Sequence, residues 1–379
     1  MRVNKATKLF ATAAAGALLL TACTAEGSGD SSEGRHFTID VTAGEVLATG
    51  PHGEEAVSAT TLELTDAERE QIRNGNYRAA IAFHYSGDDW SRAQEAGMRA
   101  AFEELGIQVV GVTDAGFSVE QQVADVENLK SLGADILISI PVDPVATRDV
   151  FQRAADDGLA IVFMDNAPAG LVPGQDYVSV VSADNYGNGV VAAQIMCQAL
   201  EGEGEIGVVF HAADFFVTNQ RVEAFENEIE TNCQGVEIVD RGGFDDPNAV
   251  SEVADAMLTR NPNLDGIFAN WDIPAEHVAA SAISAGRNDL VITTVDLGDN
   301  VARMIAERGL VAGLGAQLPF DQGRAQVMLA AYGLLGKEAP PFVAVPAQPV
   351  WFDNLLDAYE LVYHQPAPQW LDDLWNAHQ

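Results

Sequence analysis

The chain has 379 residues, 47% of them hydrophobic, and a formal net charge of −36. That length fits two domains of ordinary size, each with ample material for a core. A field so acidic repels phosphate backbones and anionic headgroups, so nucleic acid and lipid surfaces are excluded as expected partners.

Taken in order, Arg2, Lys5 and Lys8 precede LFATAAAGALLL, an apolar run too short to span a bilayer and without a stop-transfer pattern. Residues 1–22 therefore read as a signal peptide. Leu20-Thr21-Ala22-Cys23 resembles the bacterial lipobox, which implies lipidation of Cys23 and an extracytoplasmic protein anchored to the bacterial cell membrane. Residues 23–35 are small, polar and acidic, the composition of a tether. Residues 36–76 are an N-terminal extension with little pattern until Thr65-Asp66-Ala67-Glu68, a capping box opening a short helix that ends near Gly75.

From Tyr77 a regular alternation begins. Strand-like runs appear at RAAIAF, IQVVGV, DILISI and AIVFMD, then at EIGVVF, VEIVDR, GIFAN and VITTVD. Amphipathic helical stretches such as SRAQEAGMRAAFEELG separate them, with Gly106 at the expected C-cap. Continuous apolar strands alternating with helices predict an α/β protein of parallel, doubly wound Rossmann-like sheets covered on both faces. One set runs to about Val181 and a second begins after SADNYGNG. Cys197 and Cys233 fall on predicted helices or their ends in the second set, and either pair or remain two thiols.

In doubly wound sheets a ligand binds beyond the carboxyl ends of the strands. The unusual residues stand there: His84, Asp88, Asp89 and Trp90 after the first strand, and Asp165 and Asn166 at the end of AIVFMDN. In the second set His211 and Phe215 follow GVVF, Phe244 follows VEIVDRGG, Trp271 and Asp272 follow GIFAN, and Asp296 ends VITTVD. Acids and aromatics drawn from both sets predict a cleft between two lobes. Indole faces pack on the C–H face of a sugar or polyol, while Asp and Asn meet its hydroxyls.

Other chemistries fit less well. Adjacent Asp88 and Asp89 suggest a glycosidase pair, yet neighbouring residues need not face one site. His84, His211, Asp88 and Asp165 match no compact metal motif, so no metal and no cofactor is expected. Gly202 to Gly207 spell GxGxxG, but before a strand instead of after one, which makes the segment a turn. P-loop, G-x-S-x-G and HExxH motifs are lacking.

From Tyr77 to about Pro346 the chain resembles the ribose-binding-protein group of periplasmic sugar-binding proteins. The resemblance rests on the G-x-D-x-W segment before QEAGMRAAFEELG, then SIPVDPVA, VFMDN, SADNYGNG, DGIFANWD, TTVDLGDN and GAQLPFDQG. It implies two Rossmann-like lobes, 77–183 with 318–343 and 184–317, joined by three crossing strands that close on ligand. The crossings are expected near Ser182–Asp184, at Asp296–Gly298 or around Gln317, and near Val343–Pro346. Residue by residue it implies ligand contacts at Asp88, Trp90, Ser91, Asp165, Phe244 and Asp296, with Gln317 at the hinge.

The group has arginines at the positions aligned with Asn166 and Asn219, commonly asparagine where Trp271 stands, and a polar contact where Ile140 stands. A pocket less cationic and more apolar than a ribose pocket follows, with Arg221 expected on the following helix and the ligand a small neutral carbohydrate or polyol. The implied role is capture of that ligand by a monomer and delivery to an ABC permease in the membrane. A receptor for chemotaxis or a kinase and a carbohydrate-active enzyme are the alternatives. Residues 344–379 are expected to add an extra helix against the first lobe.

Overall fold

The computed structural model describes residues 36–379 other than Ala43 and Asp214; the predicted signal segment, Cys23 and the tether lie outside the described residues. Two parallel sheets dominate. The chain enters through β1 (Val57–Ser58) and α1 (Asp66–Asn74), whose N-cap Thr65 and Glu68 form the expected capping box. It continues through β2 (Arg78–Phe83), α2 (Asp89–Glu104), β3 (Gln108–Asp114), α3 (Val119–Ser131), β4 (Ile136–Ser139), α4 (Arg148–Asp156), β5 (Ala160–Met164) and β6 (Ser179–Ala183). The second series is α5 (Asn185–Ala199), β7 (Gly204–His211), α6 (Phe216–Asn232), β8 (Val236–Phe244), α7 (Val250–Arg260), β9 (Gly266–Ala269), α8 (Asp272–Ser284), β10 (Val291–Val295), α9 (Asp299–Ala306) and β11 (Val311–Ala316). Last come α10 (Pro319–Leu335), β12 (Phe342–Val345), β13 (Gln348–Trp351), α11 (Leu355–Tyr363) and α12 (Gln369–Ala377).

The sheets have the orders β1-β12-β6-β5-β4-β2-β3 and β13-β11-β10-β9-β7-β8. The second repeats the first, with β7, β9, β10 and β11 standing where β2, β4, β5 and β6 stand. β4, β6, β9 and β10 are buried along their whole length, as sheets covered on both faces require. The chain passes from one sheet to the other after β6, at Gln317 and Leu318 between β11 and α10, and at Pro346 and Ala347 between β12 and β13. The second passage lies at Gln317, since β10 and β11 pair side by side within one sheet.

Helix α10 returns to the first lobe along α2. The crossing is tight because Gly97 meets the Phe320 carbonyl and Gly323 meets the Gln94 carbonyl, where a Cβ would collide with backbone. Gln94, Gln322 and Gln326 are buried there and bond to one another, with Gln326 donating to Gln94 at 2.9 Å.

Both ends of the chain add to the lobes. Phe37 is buried against Val191 and Ile195, and β1 extends the first sheet beside β12. The C-terminal segment differs from expectation. It supplies a strand, antiparallel to β11 in the second sheet, and two helices whose Leu355, Val362 and Leu371 join Val301 and Ile305 in the second lobe's core. Its apolar stripe at helical spacing finds α9 in place of the first lobe, which it meets through His364, stacked on Phe320 and 3.1 Å from Asp321.

Cys197 and Cys233 form a disulfide with 36 residues of separation, tying the end of α5 to the end of α6. Closing a loop of that length stabilises by about 2–4 kcal/mol. Urea melts should therefore show dithiothreitol, or Cys197→Ser with Cys233→Ser, lowering the unfolding free energy by that amount; an unchanged midpoint contradicts the assignment.

Candidate functional site

Two aspartates mark the equivalent strand ends of the two lobes. Asp165 follows β5 and Asp296 follows β10, with φ of 56° and 72°. Left-handed backbone at a non-glycine residue is uncommon, and Asp tolerates it better than most. Each is held by its neighbouring strand: the Asp165 amide donates to the Val181 carbonyl at 2.9 Å, and the Asp296 amide to the Gly315 carbonyl at 3.2 Å.

A polar network surrounds them. Ser182 Oγ donates to Asp165 Oδ1 at 2.7 Å, and Asn185 Nδ2 donates to Ser182 Oγ at 2.9 Å. Arg221 Nε donates to Asn185 Oδ1 at 2.9 Å, while its Nη1 reaches Asp296 Oδ2 at 3.2 Å and the Asn270 carbonyl at 3.3 Å. Gln317 Nε2 donates to Asp296 Oδ1 at 2.7 Å, and its Oε1 accepts from Trp90 Nε1 at 3.3 Å and from Gln322 at 2.9 Å. Residues from both lobes and from the second crossing thus form one connected group.

Burial governs the electrostatics here. Desolvation raises the Asp165 carboxyl to about 6, against the pull of Ser182 and Arg221. Desolvation also raises Asp296, opposed by Arg221 and Gln317, and lifts Asp272 well above the ordinary range, with Asp296 adding to the push. Desolvation lowers His84 to about 4, so that ring is neutral at pH 7, and it lowers His211 as well. Among the described residues no three His, Cys, Asp or Glu side chains converge to hold a metal. The guanidinium of Arg221 is paired with Asp296.

The aromatic residues form two groups. On the first lobe His84 stands edge-on to Trp90 at 6.4 Å and to Phe117 at 5.0 Å. On the second, His211 contacts Phe215, Phe244 and Trp271 at 6.5, 5.8 and 5.7 Å between centroids, and Phe244 lies 5.2 Å from Trp271. Phe244 is only 3% exposed and belongs to the second lobe's core. Trp271 is partly exposed and offers the accessible face.

The expected site residues separate by role. Ser91 is buried, and its hydroxyl donates to the Asp88 carbonyl at 3.2 Å, so it serves the start of α2. Asp88 caps α2 by accepting from the Ser91 amide at 2.8 Å, which occupies one of its oxygens. Asp89 pairs with Arg92 and accepts from the Asp299 amide at 3.1 Å, a bond from first lobe to second. It reads as a latch. Asp89→Ala should weaken binding by about tenfold or less, because one such bond contributes about 1 kcal/mol to the closed arrangement; unchanged affinity in calorimetry contradicts the latch.

Asn166, Phe215 and Asn219 line a cavity of about 450 Å³. Arg221, Ser182, Asn185 and Asn270 were not among the expected contacts. Arg221 lies on α6 as foreseen, but on its buried face with Val217, Ala224 and Phe225 and only 5% exposed, which brings it into the site. Its position four residues after Val217 and four before Phe225 was the available signal.

Comparisons with known proteins bear on the family and the fold. Residues 79–338 match the model of the periplasmic binding protein domain family. A putative rhizopine-binding protein of Rhizobium meliloti is 23% identical over 278 residues, 72% of this chain and 82% of that protein. The ribose import binding protein of Salmonella typhimurium is 25% identical over 284 residues, 74% and 92% of the two chains. An ABC transporter solute-binding protein of Agrobacterium vitis, solved with bound α-D-tagatopyranose, superposes with a TM-score of 0.68 at 22% identity, over 77% of this chain and 100% of that one.

Proposed function

Because the chain belongs to the periplasmic binding protein domain family, we propose that it captures a small neutral carbohydrate or polyol between its lobes and delivers it to an ABC importer. Family membership makes it a solute-binding protein stationed outside the cytoplasm. The observation that carries the ligand class is the pair of kinked strand-end aspartates, Asp165 and Asp296, held in one network beside the Trp90 and Trp271 indoles. Carboxylates held in place accept hydroxyl protons, and each such bond contributes about 1.5–3 kcal/mol. The indoles cover the C–H faces of the ring. The occupied Arg221 argues for a ligand without negative charge.

No turnover is proposed. Asp88 and Asp89, the adjacent carboxylates, are engaged in a helix cap and a latch. Closure over ligand excludes water and adds second-lobe contacts, which shifts the open–closed equilibrium. A monomer held to the membrane by lipidated Cys23 would present the closed form to its permease.

A thermal-shift panel of pentoses, hexoses, deoxysugars, polyols, sugar acids and amino acids tests this reading. A ligand at about a hundredfold above its Kd adds about 2.7 kcal/mol of stability. A neutral sugar or polyol should raise the melting temperature, and Trp90→Ala should abolish the shift. A shift produced solely by sugar acids or amino acids contradicts the reading.

A further inference from the structure

Residues 47–55 lie before the segment that matches the family, and they fold back over one flank of the cleft. The Leu47 and Ala48 amides donate to the Asp184 carboxylate at 2.9 and 2.8 Å, beside the first crossing. Gln220 of α6 donates to the Thr49 carbonyl and hydroxyl at 3.0 and 3.2 Å. The turn is also closed on itself, with the Gly50 amide on the Glu54 carbonyl at 2.8 Å and the His52 amide on Glu54 Oε2 at 2.8 Å. Asp184 thereby ties the N-terminal turn to the very point where the chain leaves the first lobe.

The cavity of about 450 Å³ lies under this turn. Its walls are Pro51 and His52 from the turn, Asn166 and Ala169 from the first lobe, and Phe215 and Asn219 from the second. Asn166 directly follows Asp165 in the chain, and Phe215 stands 6.5 Å from His211, whose ring also meets Trp271. Its volume lies within the range of small-molecule sites. Amides for hydroxyls and a phenyl ring with a proline for C–H faces repeat the chemistry of the deeper group.

We propose that this cavity is a second subsite, so that the ligand is a disaccharide or an O-glycoside with one ring at the aspartates and the other under the N-terminal turn. The proposal rests on the carbohydrate reading above. Asn166 and Asn219 meet the hydroxyls of the outer ring, Phe215 and Pro51 bracket its faces, and the turn is what makes the pocket long enough for two rings.

The test is calorimetric titration of the full chain with D-glucose, D-galactose, D-ribose and L-arabinose, then with disaccharides and phenyl glycosides built on each. A two-ring ligand should bind at least tenfold more tightly than its parent monosaccharide. Ala169→Trp, a substitution at a partly exposed position that fills the cavity, should erase that advantage and leave the monosaccharide within about twofold. His52→Ala, at an exposed position, should weaken the two-ring ligand alone. Monosaccharides binding as well as or better than their glycosides, or Ala169→Trp affecting both alike, overturns the subsite while leaving the carbohydrate reading intact. No binding by any sugar overturns both.

Discussion

Arg221→Ala should cost about 3–5 kcal/mol of stability at pH 7.5 and eliminate ligand binding. The guanidinium is buried, bonded to Asn185 and the Asn270 carbonyl, and 3.2 Å from Asp296. Removing one partner of a buried pair leaves the other charge without compensation. The pH dependence identifies the cause. Desolvation already raises the Asp296 carboxyl, and loss of Arg221, which lowers it, raises it further. An acid with a raised folded pKa costs stability above that value and nothing below its unfolded value, where both states hold the proton. The deficit of the variant should therefore shrink as the pH falls from 7.5 toward 4.5 in urea melts. Arg221→Ala with Asp296→Asn should regain most of the stability but not the binding. A deficit that is independent of pH points to lost packing and contradicts the charge-pair explanation.

Asp165→Asn should move stability the other way. Burial lifts this carboxyl from 3.8 to about 6, so ionisation at neutral pH costs the folded protein about 3 kcal/mol. Since the folded value is raised, stability falls as the pH climbs from about 4 to about 6 and is level above that. Asparagine tolerates the positive φ and still accepts the Ser182 hydroxyl, while removing the buried charge. The variant should be more stable than the parent by up to about 3 kcal/mol at pH 7.5 and equal to it near pH 4. It should also bind its sugar or polyol about ten- to a hundredfold more weakly, the loss of one hydrogen bond to a charged acceptor. A variant less stable at every pH means that the cost of burying Asp165 has been compensated by something else.

The eight runs beginning with RAAIAF coincide with β2, β3, β4, β5, β7, β8, β9 and β10. The inner strands are apolar because both faces are covered, while the edge strands β3 and β8 carry polar residues among their apolar ones. The restart after SADNYGNG coincides with the second sheet. Strand-end placement was legible for the same reason, since residue order fixes which side chains reach the carboxyl edge. What escaped was tertiary. β1 is two residues long, and β13 holds a proline on a sheet edge, so neither shows a pattern by itself. The C-terminal stripe was visible as helical, but only packing shows that it covers α9. Ser91 is buried at the start of α2, and Asp88 caps that helix with one carboxylate oxygen. The sequence does not separate this second use from ligand contact, since an N-cap uses the same residue types. Arg221 was hidden because a charged residue on a helix is usually solvated, and here an aspartate just past the end of β10, 75 residues onward, holds it in place.

The central claim is that one small ligand touches both lobes at once. Calorimetric titration of the best ligand from the panel into two single variants, Asp165→Asn from the first lobe and Trp271→Ala from the second, tests it most directly. Each should weaken binding of the same ligand by at least tenfold, because each removes one wall of a shared cleft. If either variant binds as the parent does, the ligand sits on one lobe alone, and the interlobe site is contradicted.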